Sequence, residues 1–135
     1  MQNEVEKIAV HLSTPKGIRA VELLATTGDL LSIELILDAQ SYKAEGSDLF
    51  EALIRIRELL LPMQYSLLVA GARVNARPSG MSRQMSQGRR VYLLEIGKPS
   101  DPLTLCDLFS PATIDQIATP ADQDIFYNAC LNNLR

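Results

Sequence analysis

The stretch IRAVELLATTGDLLSIELILDAQSY, residues 18–42, holds two apolar runs separated by a short Thr-Gly-Asp turn. Two such runs around a turn of this composition predict a β-hairpin. In the second run Ile33, Leu35 and Leu37 alternate with more polar residues, which is the period of a half-buried strand. Ile36 breaks the alternation. The first run is also compatible with a helix, so the strand prediction is clearer for the second run.

The segments around this hairpin extend the predicted sheet and place a helix behind it. Residues 4–12 predict an additional strand at the edge of the sheet. Ser47 is the predicted N-cap of a helix that Pro62 ends, because proline lacks the amide donor that a helix interior needs. Apolar residues repeat at helical spacing between them, so we expect Leu53 and Ile56 in the core.

The second half of the chain predicts two strands and a final helix. The strands are expected at residues 65–70, as a central strand, and at residues 89–96. The helix is expected from Thr119 or Pro120 onward, with Ile125 in its apolar stripe. The element order is therefore hairpin, helix, two strands and helix. It predicts one α+β domain over residues 1–135, with a mainly antiparallel sheet backed by helices.

Composition limits the functional classes. A pI near 5.1 and an aromatic content of 5% make nucleic acid an unlikely partner. No export signal and no membrane-spanning run is recognisable, which predicts a cytoplasmic protein without a membrane partner. The single histidine, His11, has no recognisable triad around it, and Cys106 and Cys130 lack zinc-site spacing. We therefore expect no catalytic residues, no metal and no cofactor.

The run GARVNARPSGMSRQMSQGRRVYLLEIGK, residues 71–98, is a basic segment in an acidic chain. It carries five arginines and one lysine against one glutamate, a net charge of +5, whereas the whole chain carries −3. Such a segment predicts a docking place for something anionic. The candidate partner- or anion-binding residues are Arg73, Arg77, Ser79, Gly80, Met81, Ser82, Arg83, Met85 and Arg89.

Two functions remain open for this segment. In the first, the arginines contact an acidic protein, while Met81 and Met85 share one face of a short helix as apolar anchors or pack into the core. In the second, a nucleotide or phosphometabolite is held by the loop Ser79-Gly80-Met81-Ser82, because glycine and serine there could form an anion-binding concavity. A concave loop would favour the second function, and a flat one the first.

The segment over residues 65–100, with its PSGMSR motif followed by a glycine and a tyrosine-containing strand, resembles small uncharacterised bacterial proteins. No established activity comes with that resemblance, and it carries over no residue role. Some bacterial proteins of this size are immunity or accessory factors, an analogy of size and fold. The sequence thus predicts a small, non-enzymatic bacterial binding protein, and the analogy suggests an immunity or accessory factor.

Overall fold

The computed structural model describes residues 3–133 and confirms the α+β prediction. Its main sheet has five strands in the order β4-β3-β2-β1-β5, and every neighbouring pair is antiparallel. The strands are β1 (Glu4–Thr14), β2 (Gly17–Thr27), β3 (Ser32–Leu37), β4 (Gln40–Glu45) and β5 (Ser66–Leu67).

The predicted hairpin is formed by β2 and β3. Leu23 lies opposite Leu35 and Ala25 opposite Ile33, so the alternating apolar residues face the core together. Ile36 lies on the other face and is exposed, which is where strict alternation places it. The strand predicted for residues 4–12 is present, but its edge position is wrong, because β1 lies between β2 and β5.

β4 was not predicted. It follows β3 through a tight turn in which Asp38 and Ala39 both have positive φ values, 50° and 67°. Two successive residues of this kind form the type I′ turn that matches the twist of a two-stranded hairpin. Neither residue is glycine or asparagine, so the usual composition signal of this turn is missing.

The first helix, α1 (Leu49–Leu60), packs its apolar stripe against the inner face of the sheet. Leu53 and Ile56 are fully buried, which confirms the predicted stripe. The N-cap is Asp48 and not Ser47, because Asp48 Oδ1 accepts a hydrogen bond from the Glu51 amide. A short 3₁₀ turn containing Pro62 follows the helix, as the proline predicts.

The segment predicted as a central strand at residues 65–70 is different in the structure. Its two β5 residues pair with the C-terminal end of β1, and β5 is an edge strand, so the predicted central position is wrong. The amides of Ala70 and Gly71 instead donate to the carbonyls of Ser110 and Leu108, at 2.7 and 2.8 Å. The chain therefore leaves the sheet after two residues, although the run is buried as its apolar composition predicts.

A second, smaller sheet takes two of its three strands from the basic segment. Its order is β6-β7-β8, with β6 (Ala76–Arg77), β7 (Arg90–Leu93) and β8 (Cys106–Asp107) antiparallel. The short helix α2 (Gly80–Met85) connects β6 to β7, and it places the two methionines on a shared helix face, as their spacing does on any short helix. β7 is the strand predicted for residues 89–96, and it is shorter than predicted.

The last helix, α3 (Pro120–Asn132), begins where predicted, with Thr119 as N-cap. Its predicted apolar stripe is wrong at Ile125, which is exposed, whereas Cys130 is buried. The other buried residue of α3 is polar. Gln123 donates from Nε2 to the carbonyls of Gly71 and Arg73, at 2.9 and 2.7 Å. The helix is thus held to the rest of the fold through hydrogen bonds as well as apolar contacts.

Candidate partner-binding surface

Arg83 is bound to the start of α1. Its Nη1 donates to Asp48 Oδ2 at 2.6 Å, while the other oxygen of this buried carboxylate caps the helix. The Gln87 carbonyl accepts from the Leu49 amide at 2.7 Å, and Gly88 lies against Asp48 with a φ of +77°. A side chain at Gly88 would begin 3.0 Å from the Asp48 carboxyl carbon, so this close approach requires glycine.

Arg77 is largely buried, with 13% of its side chain exposed. Its guanidinium carbon lies 4.2 Å from the ring centroid of Tyr127 and 5.4 Å from that of Phe50. Its Nη2 also donates to Asp124 at 2.8 Å. Cation–π contacts of this kind hold β6 between α1 and α3.

Arg89 joins the two sheets. Its Nη1 and Nη2 donate to the two carboxylate oxygens of Glu6 on β1, at 2.8 and 3.1 Å, and its Nε donates to Asp107 at 2.8 Å. The guanidinium carbon also lies 5.0 Å from the Phe109 ring centroid. The hydrogen bonds from Arg89 lower the pKa of Glu6, because they favour its charged form.

Arg73 differs from these three arginines. It is half-buried, and no carboxylate among residues 3–133 forms an ion pair with it. Its charge acts on the thiol of Cys106, whose pKa is raised by burial and lowered by Arg73 to a smaller extent. Three of the four predicted arginines therefore already have carboxylate partners within the chain.

The serines of the predicted anion loop are used by the fold. Ser79 Oγ accepts from the Ser82 amide and caps α2, and Ser82 Oγ donates to the Arg90 carbonyl at 2.7 Å. Gly80 is exposed and faces open space. A cavity of about 160 Å³ does lie beside this loop, lined in part by Arg77, Ser79, Gly80, Tyr92, Lys98 and Tyr127. The loop is thus concave, with some of its polar groups engaged internally.

The most exposed predicted residues are the two methionines. Met81 is 74% exposed and Met85 is 81% exposed, so the expectation that they could pack in the core is wrong. They lie one turn apart on α2 beside a shallow groove of about 180 Å³. We call this feature the α2 groove; its lining residues are Ser79, Met81, Ser82, Met85, Ser86, Arg90, Tyr92 and Leu105.

Sequence reasoning did not select four members of the α2 groove: Ser86, Arg90, Tyr92 and Leu105. Arg90 is exposed, and within residues 3–133 it forms no ion pair, unlike its neighbour Arg89. Alternation along β7 could have found it, because successive strand residues point to opposite faces. Leu105 could not be found in that way, since it lies outside the basic segment. Only the folding of the chain brings it next to α2.

No protein-family model matches the chain, and no curated protein matches it. The resemblance over residues 65–100 therefore stays a prediction. Within residues 3–133, no helix combines the length and apolar character needed to cross a membrane. In the same described part, no three His, Cys, Asp or Glu side chains are grouped so that they could hold a metal ion.

The internal contacts predict a loss of stability for the double variant Arg77→Ala and Arg83→Ala. Exposed arginines would be neutral for stability, but these two stack on aromatic rings, and Arg83 neutralises the buried Asp48. We expect the free energy of unfolding to fall by about 1–3 kcal/mol. Urea denaturation measures it. The exposed Arg90→Ala is the control and should change stability by less than about 0.5 kcal/mol. Equal stabilities for both variants would contradict these internal roles.

Proposed function

We propose that this chain is a non-enzymatic binding protein that recognises a segment of a protein partner at the α2 groove. The observation that carries the proposal is the exposure of Met81 and Met85 side by side at the rim of a concave apolar surface. Flexible methionine side chains adapt to different apolar partners, which is why they are frequent at binding surfaces. A location in the bacterial cytoplasm and an immunity or accessory role belong to the same proposal.

The charge of the α2 groove supports an acidic partner segment. Arg90 is the one charged residue among its lining residues, and the others are apolar or uncharged. A carboxylate on the partner would pair with Arg90 beside an apolar side chain that inserts between the methionines. The sequence predicted direct contact between the partner and four arginines, Arg73, Arg77, Arg83 and Arg89. In this proposal the last three stabilise the structure around the groove through their internal ion pairs.

A second candidate function uses the cavity of about 160 Å³ beside Arg77 and Gly80. Its lining combines cationic and hydroxyl groups, as a phosphorylated ligand requires. Pockets for drug-sized ligands are typically about 300–1,000 Å³, so this volume favours a small phosphorylated metabolite over a nucleotide. Arg77 is already bound to Asp124, which leaves less positive charge for such a ligand. The concave loop favours this candidate, but the charge of Arg77 is already used within the chain, so we rank it second.

Selection from a random peptide library on the purified protein tests the first proposal. We expect the selected peptides to share a large apolar residue next to Asp or Glu. The variants Met81→Glu and Met85→Glu together should weaken the binding of a selected peptide by about thirtyfold or more, because apolar anchors carry much of the energy of such contacts. Arg90→Ala should weaken it about tenfold and reduce its dependence on salt.

The matched control is Ile18→Glu. Ile18 is also an exposed apolar residue, but it lies beside the turn that joins β1 to β2 and does not line the α2 groove. Its substitution should leave peptide binding unchanged. Peptides without acidic residues, or binding that survives Met81→Glu and Met85→Glu, would reject the α2 groove as the docking surface.

A further inference from the structure

A second site, independent of the α2 groove, is indicated by Arg57 near the end of α1. This residue is 6% exposed, although the pattern of the helix predicts that it lies outside the apolar stripe. Its Nη1 donates to Gln123 Oε1 at 2.7 Å, and its Nη2 donates to the Ala118 carbonyl. Both acceptors are uncharged. The fold therefore buries a guanidinium while compensating its hydrogen bonds only in part.

The charge of Arg57 has no counter-ion in the described chain. No carboxylate of residues 3–133 lies within ion-pair distance of it, whereas Arg77, Arg83 and Arg89 each have one. Burial lowers the pKa of Arg57 to about 10, and the nearby charge of Glu58 opposes this to a smaller extent. The group is still charged at neutral pH. Burying an unpaired charge is costly, so a partner anion would be stabilising here.

Arg57 lines a cleft of about 130 Å³. The cleft also has the hydroxyl groups of Tyr65 and Ser66. The N-cap of α3, Thr119, its first residue, Pro120, and the apolar side chain of Ile114 line the cleft as well. Neither the Tyr65 nor the Ser66 hydroxyl is hydrogen-bonded to another described residue. A guanidinium has five N–H donors, and Arg57 uses two of them in the contacts above.

We propose that this cleft binds a carboxylate group, which Arg57 receives and the start of α3 stabilises further. Two properties favour a monoanion with an aliphatic group over a phosphate. The lining contains one cation, too few for a dianion, and its remaining surface is largely apolar. The positive end of the α3 dipole adds to the attraction of the anion. The carboxylate could belong to a free acid or to the C-terminus of a peptide chain.

Titration of the full-length protein with N-acetyl-leucine, followed by two-dimensional NMR, tests the site. We expect saturable shifts of the Arg57 Nε–H signal and of the amides of Ala118 and Thr119. N-acetyl-leucinamide, which lacks the carboxylate, should bind at least about tenfold more weakly. A peptide ending in leucine separates the two sources: it binds as well as the free acid if the cleft accepts a chain terminus, and more weakly if the cleft accepts only small acids.

Arg57→Met removes the cation, but the buried position makes unfolding a possible result. Ile114→Glu avoids this difficulty, because Ile114 is exposed at the rim of the cleft, where a new carboxylate would repel the ligand. It should weaken N-acetyl-leucine at least about tenfold. Leu103→Glu is the matched control, since Leu103 is exposed and outside the cleft. The proposal is overturned if N-acetyl-leucinamide or inorganic phosphate binds as well as the acid, if no signal shifts, or if Ile114→Glu has no effect. Arg57 would then serve only to bind Gln123 and the Ala118 carbonyl within the fold.

Discussion

Replacing Gln123 by methionine is expected to lower the free energy of unfolding by about 3–5 kcal/mol, because a buried hydrogen-bonding group is removed while its partners stay buried. Methionine has nearly the shape of glutamine, so the loss reports the amide group and little else. Gln123 accepts from Arg57 and donates to the carbonyls of Gly71 and Arg73. One amide therefore connects three separate segments of the chain.

Urea denaturation of the Gln123→Met variant measures this effect. Asn128→Met is the control, because Asn128 lies on the same helix and is exposed. The control should change the free energy of unfolding by less than about 0.5 kcal/mol. If the two variants were equally stable, the hydrogen bonds of Gln123 would contribute no net stability, and α3 would be held by its apolar contacts alone.

The parts of the fold that local sequence determines were predicted well. The β2–β3 hairpin and α1 are visible in the sequence because apolar residues repeat with period two in one and with helical period in the other. The start of α3 is visible because threonine and proline occupy the N-cap and first helical positions. In each of these elements, the signal lies within about a dozen residues of the structure that it predicts.

Most of the contacts that were missed join residues far apart in the chain. β4 is an exception: it follows β3 directly, but its turn residues Asp38 and Ala39 lack the usual composition signal. Arg83 and Asp48 are 35 positions apart, and Arg89 and Glu6 are 83 apart, so no local pattern shows that these charges meet. The burial of Arg57 has the same origin, since its acceptors lie on and just before α3. A basic segment therefore predicted a surface for external anions, whereas much of its charge binds the acidic remainder of the same chain.

The α2 groove was predicted in part. The spacing of Met81 and Met85 indicated a shared helix face, but exposure depends on whether another element covers that face. Among the described residues 3–133, β7 and the segment that contains Leu105 pass beside α2 without covering the methionines, which lie at the rim of the groove. The sequence thus indicated the two methionines of the groove, whereas only the fold shows that Arg90 is the charged residue beside them.

Leu53→Ala is expected to lower the free energy of unfolding by about 2–5 kcal/mol, since a fully buried leucine leaves a cavity when it is truncated. The surroundings of Leu53 have little freedom to fill this cavity. A side chain added at Gly71 would begin 2.7 Å from Leu53 Cδ2 and 2.4 Å from Leu108 Cδ1, which shows how closely the backbone approaches the helix there. We therefore expect the result in the upper half of the range.

Leu59→Ala on the same helix is the matched control, because Leu59 is half exposed. Its effect should stay below about 1 kcal/mol, as is usual for surface truncations. Denaturant unfolding of both variants, with fluorescence of the tyrosines as the signal, gives the comparison.

Adding Gly71→Ala to Leu53→Ala extends the test. The new methyl group would occupy part of the cavity, so the double variant should lose less stability than the two separate losses predict. Strict additivity would mean that Leu53 and Gly71 do not share the packing contact on which the expected loss depends.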